Sequence, residues 1–298
     1  MQIIKVPGIN GLGKTKGCER SGNAILESLN EIYSNESGIP IDVRLLDLEE
    51  IHLDNSNLEI TNKLIYENAC EIFSEQNKVI FLGGDHSISF SLVRGFMENC
   101  HREKKNPCLI VFDAHPDCMP VTKMPEDEKF FAENIPTHPP IDASRQNSAK
   151  NFFIPTHEEW LRGIIEEGFP SKNILLVGVR NSDVEEIRFL REKGIRTIGM
   201  NQLMQNLEDS CDIIMEFSNG KELYLSLDID VVDPTFAPAT GYQEVGGLSS
   251  RQFIYLIQRL NKVRWLKAVD IVEINSEKDK EFGMITTKLG AKILGEFL

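Results

Sequence analysis

Eight short runs of the chain are apolar almost without interruption: Ile3 to Val6, Val43 to Leu48, Val79 to Leu82, Leu109 to Phe112, Ile174 to Val179, Ile195 to Met200, Leu223 to Leu227 and Val269 to Ile274. A strand with one wet face alternates apolar and polar residues, so runs of this kind predict strands buried on both faces. Between them, Asn23 to Tyr33, Asn57 to Gln76, Ile88 to Asn99, Glu158 to Glu167 and Ser249 to Lys262 carry apolar residues at helical spacing. The alternation predicts βαβ units, and hence a three-layer α/β/α fold with a parallel sheet of about eight strands between the helices. No Pro/Gly/Ser linker and no internal repeat divides the chain, so residues 1–298 are expected to form one domain. The rhythm breaks once, at 118–153, a proline-rich and charged stretch of the length found in lids, binding loops or disordered insertions.

Charge narrows the partners. A formal net charge of −14 repels nucleic-acid backbones and anionic membrane surfaces, and suits a small cationic substrate. The six cysteines are scattered and form no Cys-x-x-Cys pair, which excludes a zinc finger or a disulfide scaffold and points to reduced thiols. No apolar stretch approaches the roughly 18 residues of a membrane span. The N-terminus also lacks a basic segment followed by a long apolar run, so a soluble cytoplasmic protein is expected.

Candidate chemistry sits where three of the predicted strands end. Leu109 to Phe112 runs into Asp113-Ala114-His115-Pro116-Asp117, whose alternate residues share one side while the chain stays extended. Leu223 to Leu227 runs into Asp228-Ile229-Asp230, and Val79 to Leu82 into Gly83-Gly84-Asp85-His86-Ser87. Ligands bind at the carboxyl ends of open parallel sheets. A single aspartate there is commonly a turn residue or helix cap, but three such ends together are not explained that way. If they converge, four carboxylates and two imidazoles share a crevice and cannot all stay charged without counter-charge; two divalent cations would balance the four aspartates. Mixed carboxylate and imidazole ligation suits a hard or borderline ion such as manganese.

These motifs, in this order, resemble the signatures of the ureohydrolase family, which includes arginases, agmatinases and formimidoylglutamases. The resemblance continues from Asp230 through Asp233-Pro234 to Ala239-Thr240-Gly241, and takes in Gly246-Gly247-Leu248 and Asp270-Ile271-Val272-Glu273-Ile274-Asn275. It implies the arginase-like fold and two manganese ions, one held by His86, Asp113, Asp117 and Asp228 and the other by His115, Asp113, Asp228 and Asp230. It further implies that Asp117 handles the nucleophile's proton and that Glu273 holds a guanidinium. The expected reaction is hydrolysis of a guanidino compound, arginine first and agmatine or a formimino compound as alternatives, in a homo-oligomer, trimer or hexamer.

The chain departs from the family pattern in three places. A proton-shuttling histidine is expected after the Asp-x-His-x-Asp, and Ile-Pro-Thr-His occurs twice, at His138 and His157; the helical pattern that follows favours His157. Asp183 and Glu186, after Val179-Arg180, stand where a clamp for a substrate ammonium would lie, and equally where acids favour a helix start. Tyr242-Gln243-Glu244 replaces a small residue and proline, placing Tyr242 at the substrate pocket.

Two rival readings remain. Gly8 to Thr15 formally matches a phosphate-binding loop, but Gly17 and Gly22 fall in the helix that such a loop requires, each costing about 1 kcal/mol. A non-catalytic member of the family would have no need of a charge-balanced cluster.

Overall fold

The computed structural model describes residues 1–11, 13–121 and 154–298; His138 and most of the 118–153 stretch lie outside them. The eight strands are β1 (Gln2–Val6), β2 (Asp47–Glu50), β3 (Val79–Gly83), β4 (Pro107–Phe112), β5 (Ile174–Val177), β6 (Arg196–Ile198), β7 (Glu222–Asp228) and β8 (Leu266–Val272). They form one sheet in the order β2-β1-β3-β8-β7-β4-β5-β6, and every pairing is parallel. The helices are α1 (Ser21–Leu29), α2 (Leu58–Glu75), α3 (Ile88–Arg102), α4 (Trp160–Glu166), α5 (Val184–Lys193), α6 (Met200–Gln205), α7 (Leu207–Phe217), α8 (Ser250–Leu260), α9 (Ser276–Asp279) and α10 (Ile285–Phe297). Among the described residues no helix is long and apolar enough to cross a membrane.

Near-continuous apolarity has the expected cause, because the sheet carries a core on each face. Along β4, Cys108, Ile110 and Phe112 enter the core shared with α1, α7, α8 and α10, while Leu109 and Val111 enter the one shared with α2, α3 and α4. The edge strand β2 is a correction to the sequence reading. Val43–Leu45 is a 3-10 turn started by Asp42, whose side chain accepts the Arg44 N–H, and pairing with β1 begins only at Asp47. A local cap outcompeted the ladder, as it can at an exposed edge.

Topology places the site. β3, β8, β7 and β4 are neighbours at the centre of the sheet, although they are far apart in sequence. The chain leaves β3 for one side and resumes at β4 on the other, which makes this a switch point with an open crevice at the strand ends. Pairing of Phe112 with Leu227 sets Asp113 level with Asp228, and pairing of Asp228 with Val272 brings Glu273 alongside.

Gly84 shows how tightly the strand end is built. Its N–H donates to the Val6 carbonyl, its own carbonyl accepts from Glu273 N–H, and a Cβ there would lie 1.6 Å from the Gly8 carbonyl oxygen. Gly84→Ala is therefore expected to cost at least about 3 kcal/mol, at or beyond the upper end of ordinary overpacking penalties, because the obstacle is backbone. Urea denaturation measures this; a loss below 1 kcal/mol would contradict the packing described.

Candidate metal centre

The four central strand ends bring six of the predicted residues together. His86 leaves β3 on the turn into α3, and its Nδ1 lies 3.1 Å from Asp113, 2.9 Å from Asp117 and 3.2 Å from Asp228, all at Oδ2. His115 Nδ1 lies 2.9 Å from Asp230 Oδ2 and 3.6 Å from Asp113 Oδ1. Two sets of donors result, His86 with Asp113 and Asp228, and Asp113 with His115 and Asp230. Asp113 belongs to both.

Local geometry tests whether these residues suit an ion. His86 Nε2 lies 2.8 Å from Ser226 Oγ, which itself donates to Asp270 Oδ1 at 2.7 Å. The serine proton is thus committed, so Nε2 carries the hydrogen and Nδ1 presents a lone pair. That lone pair faces three carboxylates, and neither Nδ1 nor Asp113 Oδ2 has a hydrogen-bond partner. A proton on Nδ1, or a metal ion in its place, relieves the repulsion. Ligands at right angles, each about 2.1 Å from one ion, stand about 3 Å apart, which is the spacing found here. Asp270 further accepts from Tyr224 and Ser89, so the support behind His86 is fully buried and fully bonded. The chemistry of the donor set and its geometry fit a divalent ion.

Electrostatics show the strain that such ions would relieve. Burial, with the Asp113 charge beside it, pushes Asp117 up to about 7. Burial, with Asp230 and Asp113, pushes Asp228 well above the carboxylate range. Burial pulls the His86 imidazolium down, yet Asp113, Asp117 and Asp228 outweigh it and hold it well above its usual range; Asp113 and Asp230 do the same for His115. Each of these groups keeps a proton in the folded protein at a pH where the unfolded chain has released it. Their contribution to stability is complete below the unfolded values, about 4 for aspartate and 6.5 for histidine, and is lost as pH rises through the folded ones. Chelated protein is therefore expected to lose thermal stability between pH 5.5 and pH 8, and manganese to remove most of that loss by standing in for the protons. Calorimetry with and without EDTA checks this, and a chelated protein that gained stability over the range would contradict it.

Two residues of the site have left-handed backbones, Asp117 at φ +48° and Glu273 at φ +64°. Each such conformation costs on the order of 1–3 kcal/mol and persists only where surroundings impose it. Glu273 is fixed by the bond from its N–H to Gly84 and by His86 N–H, which donates to its Oε1 at 2.9 Å. Its Oε2 lies 4.0 Å from the buried Cys18 Sγ. A cavity of about 360 Å³ opens over the cluster, with Asp117, Asp228, Asp230 and Glu273 in its wall.

The predicted substrate contacts lie around this cavity. His157 is buried, its ring 5.1 Å from that of Tyr242, with neither ring nitrogen hydrogen-bonded. Burial lowers its proton affinity. Asp183 caps α5 by accepting Glu185 N–H, while Glu186 accepts from Asp183 N–H at one oxygen and Cys118 N–H at the other. Both also line the cavity, so the helix-start reading is realised and the clamp reading retains mainly the exposed Asp183. The Gly8 to Thr15 segment is no phosphate loop: Asn10 N–H and Thr15 Oγ1 both donate to Asp85 at 2.7 Å, and Lys14 lies over the Tyr242 ring.

Several participants were not foreseen. Ser226 and Asp270 interrupt otherwise apolar buried strands, which was a usable signal. Arg180 gave none: its guanidinium donates to the carbonyls of Asp230, Val231, Glu244 and Val245, tying the segment that bears Tyr242 to the metal-site strand end.

Two donor sets sharing one aspartate, at the centre of a parallel sheet, define an α/β protein with a place for a pair of metal ions. Residues 1–298 match the Arginase family, and the chain belongs to that family of metal-dependent amidohydrolases. It is 27% identical over 227 residues to the mitochondrial arginase-2 of Homo sapiens, covering 73% of this chain and 58% of that protein. It is also 27% identical over 277 residues to the N(1)-aminopropylagmatine ureohydrolase of Thermus thermophilus, covering 92% and 82%. The fold matches formimidoylglutamase of Bacillus subtilis with a TM-score of 0.78 at 20% identity, over 99% of this chain and 85% of that one. Proclavaminate amidino hydrolase of Streptomyces clavuligerus gives 0.76 at 23%, over 99% and 89%.

Proposed function

We propose that this chain hydrolyses a guanidino compound to urea and an amine. What carries this is the His86 Nδ1 lone pair facing three buried carboxylates within 3.2 Å, with Glu273 held beside them. Two divalent ions, manganese by the chemistry of the donors, would be held by His86, Asp113, Asp117 and Asp228 and by His115, Asp113, Asp228 and Asp230, and when bound would supply a water deprotonated near neutral pH. Glu273 holds the substrate guanidinium by a charge-assisted pair, its oxygens oriented by the His86 N–H. Asp117 takes the nucleophile's proton and delivers it to the leaving nitrogen. His157 relays protons through Nε2, which lies 3.7 Å from the Glu158 carboxylate.

Arginine is the substrate we name first, with Asn181, Ser182 and Asp183 around its amino-acid end. A guanidino amine such as agmatine is the second reading. Glu158, Asp183 and Glu186 line the cavity and no lysine or arginine does among the described residues, which favours a cation over a carboxylate at the far end. Urea release from arginine, agmatine and guanidino acids by manganese-loaded protein tests this, with His157→Asn expected to lower turnover by about 10²-fold. Two bound metals without urea from any of them would refute the substrate class.

A further inference from the structure

Trp160 opens α4, three residues beyond His157, and nothing in the scheme above uses it. It is fully buried, and its ring lies 4.7 Å from the His86 imidazole at 37°. Its indole Nε1 donates to Asp117 Oδ2 at 3.0 Å, the same oxygen that lies 2.9 Å from His86 Nδ1. The next residue, Leu161, donates its N–H to the Asp117 carbonyl at 3.1 Å. The start of α4 thus grips Asp117 by backbone and side chain together.

That grip answers a need. Asp117 has a left-handed backbone, and this indole donates to its buried carboxylate. We infer that Trp160 is a positioning residue for the metal centre: its N–H fixes which oxygen of Asp117 faces His86 and leaves Oδ1 for the reacting groups, while its ring closes the far side of His86 to water. The inference rests on the proposed metal centre and not on the identity of the substrate.

The chain has two tryptophans, and Trp265 is partly exposed, so Trp265→Phe leaves Trp160 as the sole indole reporter. Titrating manganese into chelated Trp265→Phe protein should quench its emission in step with the filling of the site. Trp160→Phe keeps a ring beside His86 but removes the donor. It should weaken manganese binding at one of the two positions by about 10-fold to 100-fold, the usual cost of losing a supporting hydrogen bond, with the melting temperature of the chelated protein little changed. On whichever substrate is turned over, kcat should fall while KM stays within about twofold. Manganese affinity equal to that of the parent, or Trp160 emission indifferent to stoichiometric manganese, would overturn the inference alone. A parent protein that binds no manganese would overturn the metal centre with it.

Discussion

Asp228→Ala is expected to abolish turnover and to move stability in opposite directions depending on metal. Asp228 Oδ2 faces His86 Nδ1 as a member of the first donor set, and Oδ1 accepts the backbone N–H of Asp230, which belongs to the second. Its loss should lower kcat/KM by about 10³-fold or more, a barrier change of about 4 kcal/mol, and reduce bound manganese below two ions per chain. With metal present, the melting temperature should fall, because ligand-linked stabilisation scales with affinity. Under chelation it should rise, because burial and the charges of Asp230 and Asp113 make this carboxylate a liability when no cation opposes it. Calorimetry on both forms reads the crossing. A variant equally destabilised in both would mean that Asp228 is a structural residue of β7 and no more.

Glu273→Gln separates recognition from metal binding. The amide oxygen can still accept the His86 N–H, and the backbone at φ +64° is already imposed by Gly84. What disappears is the charge that the proposed function sets opposite the guanidinium, and breaking a buried pair of this kind costs about 3–5 kcal/mol. We expect kcat/KM to drop by 10²-fold to 10⁴-fold, as that figure implies, with two manganese ions retained. Burial and Asp85 hold Glu273 well above the carboxylate range, so the chelated variant should again be the more stable form. Metal loss equal to that of Asp228→Ala would show that Glu273 belongs to the ion-holding set.

The two substitutions also mark what the sequence alone makes legible. Strands buried on both faces have an unmistakable pattern, and a chemically costly residue at the end of such a strand needs a reason, so Asp113 and Asp228 stand out on pattern alone, whereas Glu273 comes only through the family resemblance. Asp183 and Glu186 were not decidable, because a helix start and a cation clamp ask for the same acids in the same places. Trp160 is one apolar position within the helical pattern of Glu158 to Glu167; its proposed role depends on an N–H aimed across the fold at Asp117, and direction is not written in periodicity. The start of β2 slipped because the pairing of Asp42 with the Arg44 amide is local and the apolar pattern is blind to it.

Arg180 has a further meaning. It anchors the 242–247 segment through main-chain carbonyls, which every residue type possesses. Exchanging the side chains of Tyr242, Gln243 or Glu244 would cost their contacts with His157, the Pro238 carbonyl and Asn181, but would leave the anchor to the Asp230 carbonyl intact. A scaffold built this way can change what it selects by drift at a few positions of one segment, without passing through intermediates that have lost their catalytic centre.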